Sequence, residues 1–389
     1  MSRALDENGE LVELSKYSHF ELSQLKKQKF YCLDCNKRVI LKAGKRNRPH
    51  FSHLTSLNSQ DYYGESNHHK LATELLYKTF SKQGLKTKRE FFIKSIKQRP
   101  DVTIFFNNTA YAFEFQSSKI SLNSFRKRTL NLKSAGFKPI WLLSSQLLKM
   151  KTNSILRITP FLSQFIHRRS IHHPPQLFFF NPESQKIIIL EHILLLSKKT
   201  AYVQKRILPL HRLTLAELKN NTLLNIKQLL TVWKLEKNKF RTKVRSNSRG
   251  TEYQWRLWLY QQEIHFENLP SIIHLPTRDN YYFKVPPWNW QSRVYLQIIY
   301  PLKINKTFSY NDCLSVLLKY KLPQSHYPLI NTRTNPLKNY LTLLTHLKVI
   351  KPLPNYKYKI LKKVTLNNNL NKSIIADDDI INQLLYNLK

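Results

Sequence analysis

The sequence predicts an α/β fold organised around a β-hairpin. Residues 102–106 and 109–113 are two short runs of β-branched and aromatic residues, and Asn107-Asn108 separates them. Asparagine tolerates the positive φ angles of a two-residue hairpin turn, so this pattern indicates two antiparallel strands. Apolar residues recur at helical spacing before and after the hairpin, which indicates that helices cover the strands.

The predicted register brings two acidic residues together. With Asn107-Asn108 as the loop, Asp101 lies directly opposite Glu114, and the two Cβ atoms are about 4.5–5.5 Å apart. Gln116 shares the face of Glu114, because side chains alternate along a strand. Two adjacent carboxylates repel each other unless a cation lies between them, and oxygen ligands suit Mg²⁺. The hairpin therefore predicts the outline of a metal-dependent site that cuts phosphodiester bonds.

The first segment of the chain, residues 1–57, carries a candidate zinc site. Cys32 and Cys35 form a Cys-x-x-Cys pair, and His50 and His53 follow after fourteen residues. Two thiolates and two imidazoles can complete a tetrahedral zinc site. The surrounding sequence is too short and polar to fold by core burial alone, so a structural zinc ion would hold it together. The alternative is a redox dithiol beside two unrelated histidines.

Residues 58–150 show the order helix, three strands, helix, strand. Leucine and phenylalanine residues from 71 to 80 recur at helical spacing. A strand near residues 88–94, the hairpin, a helix over 123–135 and a buried strand at 138–143 come next. This order is that of the restriction-endonuclease-like core, in which the central hairpin carries the metal ligands and the helices cover the sheet.

Both predicted helices carry candidate functional side chains. Glu65 and His69 lie four residues apart, so they share one face of the first helix. We expect the adjacent His68 to be a solvated neighbour. The second helix carries a basic cluster, which consists of Arg126, Lys127 and Arg128. This cluster either contacts DNA phosphates or forms a solvated helix face.

The remaining residues, 151–389, predict a mostly helical and basic region. Helical patterns near 310–321 and 336–347 precede a basic strand near 356–364, so residues 306–389 suggest a winged-helix-like unit. A plain helical packing domain is the alternative. Two neighbouring tryptophans in this region are Trp288 and Trp290. They either stack on the bases of single-stranded DNA or pack in the core, and we favour packing.

The composition predicts a nucleic-acid partner. Lysine and arginine total 64 against 24 aspartate and glutamate residues, a formal net charge of +40. Such a charge favours a polyanion, because neutralising phosphates releases counterions. An AT-rich genome could supply part of the lysine excess, but it explains poorly why acidic residues are so scarce.

The sequence also indicates a folded protein of the cytoplasm. Hydrophobic residues make up 41% of the chain, enough for two or three domains with cores of their own. Residues 1–13 carry acidic residues and lack the apolar core of a signal peptide, and the longest apolar run, 187–196, is too short to span a bilayer. Three cysteines do not make a disulfide framework. We therefore expect no membrane partner.

Four motifs, in order along the chain, resemble those of one known protein family. They are Cys32-x-x-Cys35 with His50-Phe51-x-His53, Glu65-Ser66-x-x-His69, Arg99-Pro100-Asp101 and Glu114-Phe115-Gln116. Together they resemble the bacterial competence protein CoiA family, whose N-terminus is zinc-finger-like and whose nuclease-like domain is of the PD-(D/E)xK class. The motifs cover residues 1–144, and Trp290-Gln291 is similar to a feature of that family's C-terminal region.

The resemblance implies a setting and a role for each candidate residue. The protein would act in the cytoplasm during natural transformation, on incoming single-stranded DNA or branched recombination intermediates. Asp101 and Glu114 would bind Mg²⁺ or Mn²⁺, which polarises the scissile phosphate and lowers the pKa of an attacking water. Glu65 would be a further metal contact, and His69 a proton shuttle or phosphate contact. Where the wider class has a lysine this chain has Gln116, which carries no charge and weakens the site electrostatically.

Two functions from different classes follow. The leading hypothesis is a Mg²⁺-dependent deoxyribonuclease that acts on single strands, flaps or recombination intermediates. The alternative is a non-enzymatic recombination mediator that binds DNA and assists a strand-exchange recombinase. The pair of Asp101 and Glu114 favours the enzyme, whereas the uncharged Gln116 is compatible with a mediator that does not cut DNA. A transcription factor is a distant third, because a regulator does not need paired carboxylates.

Overall fold

The chain folds into two compact units that meet in sequence between residues 67 and 68. Each unit has its own β-sheet and its own apolar core. The computed structural model describes residues 2–33, 38–44, 49–53, 67–242, 249–332 and 334–387.

In its described residues, the first unit is a five-stranded antiparallel sheet with one α-helix. Its elements are β1 (Arg3–Leu5), β2 (Leu11–Glu13), α1 (His19–Leu25), β3 (Phe30–Tyr31), β4 (Arg38–Lys42) and β5 (His50–His53). The sheet order is β2-β1-β3-β4-β5. Ten apolar side chains are buried among the described residues of this unit, and the rings of Phe30 and Phe51 lie 4.8 Å apart. Alternation along β4 turns every second side chain inward, so this unit has a small core of its own. The expectation that core burial alone does not hold it together without zinc stays a prediction.

A nine-stranded sheet dominates the first half of the second unit. Its elements are α2 (Asn67–Lys82), β6 (Lys86–Arg89), β7 (Val102–Phe106), β8 (Thr109–Gln116), α3 (Leu122–Ser134), β9 (Phe137–Ser144), β10 (Met150–Thr152), β11 (Ile155–Arg157), α4 (Pro160–Gln164), β12 (Leu177–Asn181), β13 (Lys186–Leu195) and β14 (Thr200–Pro209). The sheet order is β10-β11-β14-β13-β12-β9-β8-β7-β6. Strands β8, β9 and β12 run parallel to one another, and the other neighbours are antiparallel. The chain order from α2 to β9 is the predicted one.

Because side chains alternate along a strand, the central strands pack against α2 on one face of the sheet and against α3 on the other. Phe113 packs against Phe80 of α2 on one face, with ring centroids 5.0 Å apart. Trp141 packs against Phe125 of α3 on the other face, at 5.1 Å. Glu114 is paired with Trp141 in the parallel ladder, so it lies on the α3 side of the sheet.

The sheet continues well beyond residue 150, where we expected this domain to end. Strands β11 to β14 extend the same sheet, so the region from residue 151 is not mostly helical as expected. The reason is a set of long antiparallel pairings: β13 is hydrogen-bonded to β12 on one side and β14 on the other. The longest apolar run lies mainly in β13. In the parts of the chain that the structure describes, no helix combines the length and the apolar character that crossing a bilayer requires.

The second half of this unit packs helices around a separate core with a small sheet. Its elements are α5 (Ile226–Thr242), α6 (Thr251–Tyr260), α7 (Pro287–Val294), β15 (Thr307–Ser309), α8 (Tyr310–Ser315), α9 (Pro336–His346), β16 (Ile350–Leu353), β17 (Lys357–Ile360) and α10 (Leu370–Asn387). The sheet order is β15-β17-β16. Trp290 is fully buried and Trp288 nearly so, and both belong to this core. They pack as we favoured and present no ring for a base to stack on.

Candidate functional site

The hairpin at the centre of the candidate site has the predicted register. Asn107 and Asn108 have φ angles of 46° and 56° and form the turn, and Val102 pairs with Phe113. If this register is extended by one residue pair, Asp101 lies opposite Glu114. The ladder itself begins at Val102, because the Asp101 carboxylate accepts a hydrogen bond of 2.7 Å from the Phe115 N–H instead.

Asp101 is held by a second element as well. His69 projects from α2, and its Nε2 lies 3.2 Å from Asp101 Oδ2. The His69 ring also lies 5.8 Å from the Phe115 ring. The structure therefore brings together Asp101 and His69, as the helical spacing and the resemblance led us to expect. Glu65, their predicted companion, lies outside the described residues.

Glu114 is almost completely buried and faces a cation. Its relative exposure is 3%, and its Oε2 accepts a hydrogen bond of 2.6 Å from Arg128 Nη2 of α3. Burial raises the pKa of Glu114 to about 7; the Arg128 guanidinium opposes this rise, and the Asp101 carboxylate adds to it. A buried carboxylate beside a second carboxylate is an environment that an additional cation would stabilise.

Gln116 ends β8 on the same face as Glu114. Its side chain is buried, and its Nε2 donates to the Ser118 carbonyl oxygen at 2.8 Å. This hydrogen bond fixes the amide beside the carboxylate pair. Gln116 therefore has a defined orientation but brings no positive charge to the site.

His68 is not the solvated neighbour that we expected. Its Nδ1 lies 2.7 Å from Glu183 Oε1, and its Nε2 lies 3.0 Å from Ser144 Oγ. Its ring also packs 5.5 Å from the Phe115 ring. The helix places His68 and His69 side by side over the end of β8, so both imidazoles belong to the site.

Sequence reasoning missed Ser144 and Glu183. Strands β8, β9 and β12 are parallel, so their carboxyl ends meet at one edge of the sheet. Ser144 ends β9, and Glu183 follows β12 by two residues. A polar residue at, or within two residues of, the carboxyl end of a buried strand is the pattern that could have identified them.

The predicted DNA-contacting cluster on α3 is divided among three environments. Arg126 donates to Gln164 Oε1 at 3.0 Å and to His326 Nδ1 at 3.1 Å, so it helps to join the two halves of the unit. Arg128 is engaged with Glu114, as described above. Lys127 is exposed.

The donors at this site suit a divalent cation. Asp101 and Glu114 offer oxygen atoms, which Mg²⁺ and Mn²⁺ prefer, and the buried Glu114 side chain would gain a counter-ion. Among the described residues no group of three or more His, Cys, Asp or Glu side chains is placed to hold a metal ion. The candidate set is therefore a pair of carboxylates, with Glu65 as the residue that would complete it.

The candidate zinc ligands belong to the first unit. Cys32 is buried directly after β3. His50 and His53 begin and end β5, which places them about 10 Å apart along an extended backbone. Cys35 and the side chain of His53 lie outside the described residues, so the four-ligand site stays a prediction.

Comparison with known proteins gives consistent matches along the chain. Three family models match consecutive segments: the N-terminal domain of competence protein CoiA at residues 14–60, its nuclease-like domain at 65–223 and its C-terminal domain at 230–374. A protein of Bacillus subtilis (strain 168) named competence protein CoiA is 28% identical over 275 residues, which covers 70% of this chain and 73% of that protein. The nuclease-like match ends beyond β14, so it includes the whole nine-stranded sheet.

Proposed function

Because this chain belongs to the competence protein CoiA family, we propose that it acts on DNA during natural transformation. Its nuclease-like domain would cleave DNA with the help of Mg²⁺ or Mn²⁺, on single strands, flaps or recombination intermediates in the cytoplasm. The observation that carries this proposal is the pairing of Asp101 with the buried Glu114 at one edge of the sheet.

Each residue at this edge has a task in the proposed reaction. Asp101 and Glu114 would hold the divalent cation, which supplies charge stabilisation at the phosphate and acidifies a bound water. The Phe115 N–H and His69 fix the orientation of the Asp101 carboxylate. The His69 imidazole, in contact with Asp101, would also transfer a proton during cleavage. Gln116 lies beside them as a neutral hydrogen-bonding group.

A second candidate function is a recombination mediator that binds DNA without cutting it and assists a strand-exchange recombinase. Two observations favour it. Arg128 already occupies one oxygen of Glu114, so a metal ion would have to compete with an internal cation. Gln116 supplies no positive charge at the position where the wider nuclease class has lysine. Both features reduce the ability of the site to stabilise the negative charge that develops on the phosphate during cleavage.

The decisive experiment compares cleavage and binding in matched variants. Wild type, Asp101→Asn and Glu114→Gln are tested on labelled single-stranded, duplex, flap and junction DNA, with Mg²⁺, with Mn²⁺ and with chelator. Glu90→Gln is the control, because Glu90 is an exposed acid of the same domain and the change alters the net charge equally. Loss of a metal ligand removes several kcal/mol of transition-state stabilisation, so we expect cleavage to fall by about 100-fold or more in both site variants.

The outcomes separate the two candidates. Metal-dependent cleavage that is lost in both site variants but kept in Glu90→Gln, with DNA affinity unchanged, supports the nuclease. Cleavage that survives in Asp101→Asn and Glu114→Gln would overturn the assignment of these residues. DNA binding by wild type with no cleavage of any substrate would favour the mediator.

A further inference from the structure

The small three-stranded sheet of the second unit has one buried face and one exposed face. Phe308, Ile350 and Ile360 point into the core. The ladder pairs Phe308 with Tyr358, and their rings stack 5.5 Å apart on this packed face. Because side chains alternate along a strand, the residues between them point to the opposite face.

That opposite face carries three lysines, which we call the lysine face: Lys351, Lys357 and Lys359. Lys351 of β16 is directly paired with Lys359 of β17. Directly opposed residues have Cβ atoms about 4.5–5.5 Å apart, and like charges in this position are destabilising. A sheet that places two ammonium groups together here gains stability when an anion binds between them.

The surrounding sequence does not neutralise this charge. Asp312 is the single acidic residue from position 300 to 372, a stretch with thirteen lysines and arginines. Its carboxylate is used to cap α8, where it accepts a hydrogen bond of 2.7 Å from the Ser309 N–H. Among the described residues no acidic side chain lies within ion-pair distance of the three lysines.

The chain order around the lysine face also favours a nucleic acid. Helix α7, β15, α8, α9 and the hairpin of β16 and β17 follow one another, and β17 is the central strand. This is the order of a winged-helix unit, in which a helix and the hairpin that follows it contact duplex DNA. The exposed side of α9 is polar, with Lys338, Thr342 and His346 four residues apart.

We infer that the lysine face binds the phosphate backbone of double-stranded DNA. This inference rests on the proposed function only in that DNA is the partner. Proteins that bind single strands without sequence preference stack bases on exposed aromatic rings. On this sheet Phe308 and Tyr358 are turned to the packed face, and Tyr356 at the hairpin tip is exposed. One exposed ring at the hairpin tip does not form a row of stacking platforms along the three lysines, so this face suits a duplex, whose bases are already paired and stacked.

The arrangement gives the chain two different DNA contacts in one unit. The lysine face would hold a duplex, while the pair of Asp101 and Glu114 would act where a strand is open. Helix α3 of the nuclease-like half is joined to the C-terminal half through Arg126 and His326. A substrate with both a duplex and a single strand would therefore be held at two places.

The test measures DNA affinity as a function of salt for a triple variant, Lys351→Gln/Lys357→Gln/Lys359→Gln. A matched control, Lys16→Gln/Lys26→Gln/Lys27→Gln, removes three exposed lysines from the first unit. Each lost phosphate contact lowers the slope of log affinity against log salt by about 0.9 on duplex DNA. We expect the slope to fall by about 2–3 and duplex affinity to drop at least tenfold at low salt, with single-strand affinity changed less than about twofold.

Three results would overturn this inference. One is duplex binding by the triple variant that matches the control. Another is an equal loss on single-stranded and duplex DNA, which would show that the face does not prefer a duplex. The third is a thermal unfolding temperature clearly below that of wild type, because removing two opposed cations should not destabilise the sheet. Each of these leaves metal-dependent cleavage by the site at Asp101 and Glu114 intact, whereas a wild-type protein that binds no DNA would refute the proposed function itself.

Discussion

Replacing Asp377 with asparagine should destabilise the second unit by about 3–5 kcal/mol. Asp377 of α10 is buried and accepts two hydrogen bonds of 2.8 Å from Arg241 of α5, and Lys237 Nζ lies 3.1 Å away. Burial alone would raise the pKa of this carboxyl, but the two cations outweigh burial and hold the pKa below its usual range. The variant keeps the size of the side chain and removes its charge, so two buried cations lose this counter-ion.

The properties of the two cations set the magnitude. Arg241 cannot give up its proton, so it remains a buried charge. Burial already lowers the pKa of Lys237 to about 8. Without Asp377 the pKa of this lysine falls further, and the lysine becomes neutral near pH 7. Because its pKa in wild type is already about 8, this change adds at most about 1.4 kcal/mol at pH 7, and the rest of the loss comes from the Arg241 charge, which loses its counter-ion. For a unit that spans residues 68–389, a loss of about 4 kcal/mol lowers Tm by about 6 °C.

Guanidinium unfolding at pH 7.5, followed by tryptophan fluorescence, measures the change, and differential scanning calorimetry gives Tm. The matched control is Asp378→Asn, one position along the same helix. Asp378 lies 2.9 Å from Lys234 in a partly exposed pair, so its loss should cost less than about 1 kcal/mol. If Asp377→Asn is no more destabilising than Asp378→Asn, then the buried cluster does not bind α10 to α5 as argued.

Two further predictions concern pH and zinc. Burial, followed by the nearby Arg169, lowers the pKa of His167 to about 3, and its Nε2 accepts from the Trp141 N–H at 3.3 Å. Neutral His167 therefore stabilises the fold above pH 6.5, and about 2 kcal/mol of this stability should be lost by pH 5. Urea unfolding at pH 7.5, 6 and 5 should show a shallower decline for His167→Gln, and parallel curves would contradict the reasoning. Elemental analysis of the purified protein should find one zinc ion per chain. The zinc should be absent from the Cys35→Ser variant and present in the control variant Cys313→Ala. Zinc that persists in Cys35→Ser would exclude the proposed ligand set.

Local sequence determined the hairpin and the order of elements around it. The Asn107-Asn108 turn permits one register, and strand alternation then places Glu114 and Gln116 on a common face. The helical spacing of the residues before Gly84 correctly predicted α2, which carries His69 to Asp101. These features depend on residues within a few positions of one another, so a single sequence is sufficient to predict them.

The sequence was less informative about the second half of the chain. Its apolar runs from residue 177 to 203 form strands of the same sheet, although we expected the region from residue 151 onward to be mostly helical. Short apolar runs are ambiguous between a buried strand and a buried helix, because neither shows a polar face. The pairing of β12 with β9 decides the matter, and that pairing joins residues more than thirty positions apart.

By itself, the sequence determined which residues can do chemistry: the carboxylates Asp101 and Glu114, the imidazole of His69 and a large excess of cations. Only the tertiary structure decided which of them meet. It placed Arg128 on Glu114, joined His68 to Ser144 and Glu183, and opposed Lys351 to Lys359. The physical reason is that periodicity fixes the face on which a side chain lies. The neighbour that the side chain meets there is set by how distant strands and helices pack.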